Sequence, residues 1–355
     1  MVKIGIVGVG SIANGKHITE LLKVADCQIT AICDIDPQAL QKTGERLNLP
    51  EKRRFTDYKA LIDCQDVDAV EICTPNYLHI PIAEYAAKAG KPINVEKPLG
   101  MSAEECERLE SIVKNHSITN MVCFSYRFMP AVRYAKTIID KGLLGDIVSI
   151  NVEYKKSSAF QVGRLLSWRF IKEYAGTGVL GDLGVHLIDM AQLLIGDFKM
   201  VSGTSGIVVK QRPKVKNGEL YPVETDDYCN FIATLQDRKK GNDVGATFSI
   251  TRCAIGHENT IRYEIFGTEG VIAFNLNSPD ELAVCVSEID KFAQGGIHTI
   301  KVPQNARGVT QEQAFVDAVS GKLCDHFPSI SDGVKCQKVL DALAKSAESG
   351  QTVYL

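Results

Sequence analysis

A chain of 355 residues, 45% hydrophobic and 23% charged, has the composition of an ordinary soluble protein with enough length for two domains. Its formal charge of −3 offers no attraction for nucleic acid or an anionic membrane surface, and no window approaches the roughly 18 unbroken apolar residues of a membrane span. Eleven cysteines, an odd number scattered from Cys27 to Cys336 without a CxxC pair, read as thiols of a reducing cytosol, not as a disulfide framework; no metal is expected.

The chain opens on a short β-branched run, Val2 to Val7, already a strand and so leaving no room for a signal peptide. Gly8-Val9-Gly10-Ser11-Ile12-Ala13 then leads into a helix from Ile12 to Lys23, with Ile12, Ile18, Leu21 and Leu22 at helical spacing. Strand, glycine turn and helix in this order suit a dinucleotide. Gly8 permits the tight turn, Gly10 lets the backbone approach a pyrophosphate, and Ala13 lets helix and strand pack closely. About twenty residues on, Asp34 ends the next apolar run, where a carboxylate accepts hydrogen bonds from a ribose diol. The following Ile35-Asp36-Pro37 carries no cation for a 2′-phosphate, so NAD is expected over NADP.

Strands and helices alternate through residue 124. A helix runs from Pro37 to Leu47 behind an Asp36 cap, another from Tyr58 to Ile62, and strand Ala69 to Cys73 ends in Thr74-Pro75-Asn76. Helix His79 to Ala89 precedes strand Pro92 to Val95, which ends in Glu96-Lys97-Pro98; Ser102 and Glu105 form a capping box for the helix to His116, and strand Thr119 to Phe124 follows. This alternation predicts a doubly wound parallel sheet whose ligand lies at the carboxyl ends of its strands.

The pattern changes after helix Pro130 to Lys141. Strands lengthen and follow one another: Ile147 to Lys155, Lys199 to Val209, Asp227 to Leu235, Val244 to Arg252, Arg262 to Phe266 and Val271 to Phe274. They predict a large, mainly antiparallel open sheet in an α+β domain. Helices are expected over Gly181 to Ile195, Thr310 to Ser320 and Ser331 to Ser349, and Gln211 to Pro222 reads as a linker. The domains are expected at 1–124 and 125–355. A broad sheet with one face uncovered suggests self-association, hence a homodimer or homotetramer.

Two places could carry chemistry. Lys97 stands on the rim above the parallel sheet, where a lysine near an oxidised nicotinamide can hydrogen-bond a reacting hydroxyl; a solvated loop lysine fits the same position. Asp182 and His186, four apart on one helix, put a carboxylate beside an imidazole where a polyol can meet both; a helix cap and a core histidine fit equally.

Taken together, Gly8 to Ala13, Thr74-Pro75-Asn76 with His79, Glu96-Lys97-Pro98, Tyr126-Arg127-Phe128, Trp168-Arg169 and the run Gly176 to Asp189 resemble the Gfo/Idh/MocA oxidoreductases, over essentially the whole chain. The resemblance implies an NAD(P)-binding domain, then an α/β domain acting on sugars, cyclitols or their keto forms. It makes Lys97, Asp182 and His186 the catalytic set. It sets Gly8, Gly10, Ser11, Ile12, Asp34, Thr74, Asn76, His79, Glu96 and Lys97 along the cofactor, and Arg127, Trp168 and Arg169 near its nicotinamide end or the substrate. Tyr154, Arg164 and His257 are further substrate candidates, and a cis Lys97-Pro98 bond is expected. Thr177 interrupts the usual glycines before Asp182, which leaves the helix entry open.

The expected reaction is reversible oxidation of a secondary ring hydroxyl by hydride transfer to nicotinamide, with an ammonium from the first half and an imidazole from the second serving one alcohol. An NAD-assisted glycosidase, or a non-catalytic NAD- and sugar-binding regulator, are the alternatives.

Overall fold

The computed structural model describes residues 1–286 and 296–355. They form two compact units, Met1–Phe124 with Val309–Gln337, and Ser125–Gly308 with Lys338–Leu355.

In the first unit, strands β1 (Val2–Val7), β2 (Cys27–Cys33), β3 (Arg54–Phe55), β4 (Ala69–Ile72), β5 (Ile93–Val95) and β6 (Asn120–Val122) make one parallel sheet in the order β3-β2-β1-β4-β5-β6. Strand order reverses between β1 and β4, and ligands of such sheets bind in the crevice beyond those strand ends. The sequence supplies both walls there, Gly8 to Gly10 after β1 and Thr74 to Asn76 after β4. Continuous burial of β4 and β5 reflects helices covering the faces of a parallel sheet. Residues 309–337 complete this unit: Val122 N–H donates to Pro328 O at 2.9 Å, and Ile330 N–H to Asn120 Oδ1 at 2.8 Å.

The helix after the glycine turn differs from expectation. It starts as a π-helical turn, Ala13–His17, and continues as α-helix Ile18–Leu21. Ile18 and Leu21 are buried, whereas Ile12 and Leu22 are exposed.

Among the described residues, the large sheet of the second unit has nine strands, β7 (Ile147–Lys155), β8 (Phe198–Gly206), β11 (Tyr228–Gln236), β12 (Asp243–Thr251), β13 (Thr260–Gly267), β14 (Gly270–Asn275), β15 (Glu281–Val286), β16 (His298–Lys301) and β17 (Val353–Tyr354), in the order β16-β15-β14-β13-β7-β12-β11-β8-β17. All neighbours are antiparallel except β7 and β12. Alternate residues of β7, including Ile150, Val152 and Tyr154, are buried, so one face forms the core. Helix Val185–Leu194 packs there with every residue buried, and Tyr263 Oη donates to the Leu187 carbonyl from β13.

The other sheet face is mixed, with Ile232 exposed among polar side chains such as Asn230 and Thr247. A recess of about 640 Å³ on it is lined by residues such as Asn151, Glu153, Thr247 and Arg262, and includes none of the expected catalytic side chains. The expected linker Gln211 to Pro222 is instead a hairpin, β9 (Gln211–Pro213) with β10 (Leu220–Pro222), because Arg212 is buried and holds it down through the Ala159 carbonyl.

Candidate active site

The glycine turn is shaped by its neighbour strand. Gly8 has φ +88°, and a Cβ there would meet the Cys73 carbonyl and Thr74 N at 2.8 Å, so only glycine fits. A Cβ on Gly10 would meet nothing within 4 Å, which leaves its backbone open to a ligand. Ser11 and Ile12 are exposed beside it, and Ala13 is fully buried. Asp34 Oδ2 accepts the Val9 N–H at 2.8 Å, and Oδ1 that of Asp36 at 3.0 Å, which fixes the carboxylate at the turn. Across the crevice, Thr74 Oγ1 is buried without a hydrogen-bond partner. An open glycine backbone, a fixed carboxylate and an unsatisfied hydroxyl together fit a dinucleotide with a ribose diol.

Two residues expected along the cofactor face inward. His79 is buried with Nδ1 2.8 Å from the Pro98 carbonyl and Nε2 2.9 Å from the Thr74 carbonyl. It ties the two loops together, and burial pushes its pKa down. Glu96 is buried, and its Oε2 accepts the Lys97 N–H at 3.0 Å. Lys97 itself is half-buried, and its bond to Pro98 is cis, as the resemblance implies.

In the second unit, the helix carrying Asp182 and His186 also begins with a π-helical turn, Leu180–Gly184, where a regular α-helix is expected. Such turns recur at functional sites, and here one holds Asp182 while the other ends at His17. The question left by Thr177 is answered by Asp226. Its Oδ1 accepts the Gly178 N–H at 2.6 Å and its Oδ2 the Leu180 N–H at 2.9 Å, while its carbonyl accepts the Val179 N–H at 3.0 Å. A Cβ on Gly178 would sit 2.0 Å from that carbonyl oxygen, so glycine is required at 178, whatever occupies 177. Burial pushes the Asp226 pKa up against these donors.

His186 is 7% exposed, with the Tyr126 ring 4.5 Å from its own. Tyr126 Oη lies 3.1 Å from Tyr154 Oη, which donates to Asn259 Oδ1 at 2.7 Å. Tyr154 is therefore a buried support, with its pKa pushed up by burial and by Tyr126 and Asp182. Asp182 is half-buried. Arg127, expected beside nicotinamide or substrate, is instead 4% exposed and grips Asp189, its Nε 2.9 Å from both carboxylate oxygens. A guanidinium taken out of water requires such a partner. Arg169 stacks on Trp168 at 4.4 Å, and Arg164, half-buried, lies 4.9 Å from the Phe170 ring. Burial and the nearby Arg252 and Arg212 push the Arg164 pKa down, while Asp182 opposes them. His257 Nδ1 is 3.0 Å from Thr260 Oγ1.

Sequence reasoning missed Asp226, Asp189 and His17. Asp189 had a signal, a charge on an otherwise apolar helix; the partners of the other two are remote in sequence.

Comparison with known proteins agrees with this layout. The family model for the oxidoreductase family NAD-binding Rossmann fold matches residues 2–124, and that for the family's C-terminal alpha/beta domain matches 136–355. The chain belongs to the Gfo/Idh/MocA oxidoreductase family. Among its relatives, a levoglucosan dehydrogenase of Pseudarthrobacter phenanthrenivorans is 36% identical over 89% of this chain and 86% of its own. A glucose-6-phosphate 3-dehydrogenase of Bacillus subtilis is 26% identical over 99% and 98%. The structure of a levoglucosan dehydrogenase in complex with NADH and levoglucosan superposes with a TM-score of 0.88 at 30% identity, covering 99% of both chains. This chain is accordingly an NAD-dependent oxidoreductase of that family. Among the described residues no helix is long and apolar enough to cross a membrane.

Proposed function

We propose that the protein oxidises a secondary hydroxyl of a sugar or cyclitol to a ketone, reversibly, as a cytoplasmic homodimer or homotetramer. Residues 1–124, completed by 309–337, serve as the dinucleotide-binding domain, and 125–308 with 338–355 as the substrate and oligomerisation domain. Bound NAD supplies the hydride acceptor, the C4 of its nicotinamide. Gly8, Gly10, Ser11, Ile12, Asp34, Thr74 and Asn76 bind it. His186, oriented by Asp182, takes the hydroxyl proton, and Lys97 donates a hydrogen bond to the same oxygen as charge develops there. Trp168, Arg164 and Arg169 shape the sugar site, while Tyr154, Arg127, His79 and Glu96 support it from behind.

The observation that supports this reading is the packing of the Tyr126 ring against His186, four residues after Asp182, in an oxidoreductase of this family. The names of the relatives support sugars as the substrate class. The test is a panel of levoglucosan, D-glucose, glucose 6-phosphate and myo-inositol with NAD or NADP, followed at 340 nm. Net NADH formation from a free sugar or cyclitol is expected. Release of an aglycone from a glycoside without net NADH would instead make the protein a redox-assisted glycosidase, and binding without turnover a regulator.

A further inference from the structure

Beneath the loop that carries Lys97, the first unit encloses a group of ionisable side chains. His17, wholly buried at the end of the Ala13–His17 turn, lies between carboxylates: its Nε2 is 2.9 Å from Glu96 Oε1, its Nδ1 2.8 Å from Glu71 Oε1, and Glu312 Oε1 stands 3.7 Å away. Glu71 occupies the middle of β4, and the Asn94 amide opposite it on β5 donates to both its oxygens at 2.8 and 2.9 Å. Cys73 and Cys123 close the group, the Cys123 thiol donating to Asn94 Oδ1 at 3.3 Å. Packing alone never calls for three carboxylates and an imidazole in a core, since apolar side chains of the same volume fill it without the desolvation cost. What distinguishes the arrangement is where it ends. The Glu96 carboxylate takes His17 on one oxygen and the Lys97 N–H on the other.

We propose that His17 is a positioning residue for Lys97: it clamps the Glu96 carboxylate, and through it the backbone from which the lysine side chain springs. This rests on the reading that Lys97 acts on the substrate hydroxyl.

Charge supports the clamp. Burial opposes an imidazolium, but Cys73 and Glu71 reverse that and hold the His17 pKa well above the ordinary histidine range. The Cys73 thiol is itself pushed up to about 11 by burial, so near neutrality the carboxylates carry the effect. Burial would raise Glu96, yet His17, with Lys97 and Lys16 adding to it, brings it down to about 2. Burial raises both Glu312 and Cys123, so a charge on either is disfavoured. His17, Glu71 and Cys123 also stand close enough to share one metal ion. The clamp is favoured because burial holds Cys123 in its thiol form, hydrogen-bonded to Asn94, the Asn94 amide donates to both Glu71 oxygens, and the His17 ring lies at ion-pair distance from Glu71 and Glu96.

The test compares H17Q, K97M and the double variant H17Q/E96Q, using NADH fluorescence for binding, the best substrate of the panel for kcat and KM between pH 5 and 9, and crystals of each NADH complex. For H17Q the NADH Kd stays within about threefold of wild type while kcat falls roughly 10- to 100-fold, the scale of a small misplacement of a reacting group. The kcat profile gains an acid limb, because Glu96 without its cation titrates within the assay range, and crystals show the 3.0 Å Glu96 to Lys97 bond lost. H17Q/E96Q, which removes cation and anion together, recovers part of kcat and has no acid limb; it carries the test if H17Q does not fold. Wild-type kcat and pH profile in H17Q, with K97M inactive, overturn the clamp and leave the role of Lys97 standing. Wild-type turnover in K97M overturns that role itself. One equivalent of zinc in the purified protein, lost in H17Q, would also overturn the clamp in favour of a metal centre.

Discussion

Asp226 holds Gly178 at both ends of its own residue, its carboxylate accepting the glycine N–H at 2.6 Å while its carbonyl oxygen occupies the space a Cβ at 178 would need. The start of the helix bearing Asp182 and His186 is thus set by a residue more than forty positions downstream. Gly178→Ala should therefore destabilise the fold by about 3 kcal/mol, as overpacking against backbone does. Asp226→Ala, which strips acceptors from two N–H groups, should cost roughly 1 to 3 kcal/mol. Urea unfolding measures both, and Thr177→Gly should leave the midpoint near wild type.

Removing Lys97 or His186 should separate chemistry from cofactor binding. Lys97→Met and His186→Ala should each lower kcat about 10²- to 10⁴-fold, the usual range for a positioned acid or base, with the NADH Kd little changed. Retained turnover in either, read at 340 nm, would remove that residue from the mechanism.

On the proposed reading, Asp34 favours NAD over NADP through its charge. Asp34→Ala should lower kcat/KM for NAD about 10- to 100-fold, the worth of hydrogen bonds to a carboxylate, with a smaller loss for NADP. Part of the loss is shared by both cofactors, because Asp34 also holds the Val9 N–H of the turn. The NADP to NAD ratio isolates the ribose contribution.

The buried pair of Arg127 and Asp189 answers to stability. Arg127→Met or Asp189→Leu alone should cost about 3 to 5 kcal/mol, since each leaves a lone charge in the core, whereas the double variant should recover most of it. Denaturant midpoints of the three proteins form the cycle.

Stability should also depend on pH through the His17 and Glu96 pair. Glu96, lowered from 4.5 to about 2, contributes stability that is present above its unfolded value and lost as pH falls toward 2. His17 is raised, so its contribution is full below about pH 6.5, its unfolded value, and declines as pH rises through the folded one. The melting temperature of wild type should be highest between about pH 4.5 and 6.5 for this pair, and His17→Leu should remove the alkaline decline.

Much of this was legible in residue order. Period-two alternation in Ile147 to Lys155 and the cap at Asp36 are local signals, and the structure keeps both. The capping box is kept with a shift: Ser102 Oγ accepts the Glu105 N–H, but Glu105 Oε1 takes the Met101 N–H rather than that of Ser102. What the sequence hid is nonlocal pairing. Arg127 looks like a ligand-facing cation until Asp189 is seen to need it, and Gln211 to Pro222 looks like a linker until Arg212 is seen to reach Ala159. Likewise β16 and β17 are too short and polar to stand out alone; each exists because a neighbouring strand offers an unpaired edge.

The return of residues 309–337 to the first unit has a bearing on how the protein is made. The last strand of the parallel sheet is tied to Pro328 and Ile330, so a nascent chain released from the ribosome through residue 124 still lacks the groups that satisfy Val122 and Asn120. The edge strand of the dinucleotide fold thus draws its last hydrogen-bond partners from residues that are made 210 positions after Asn120.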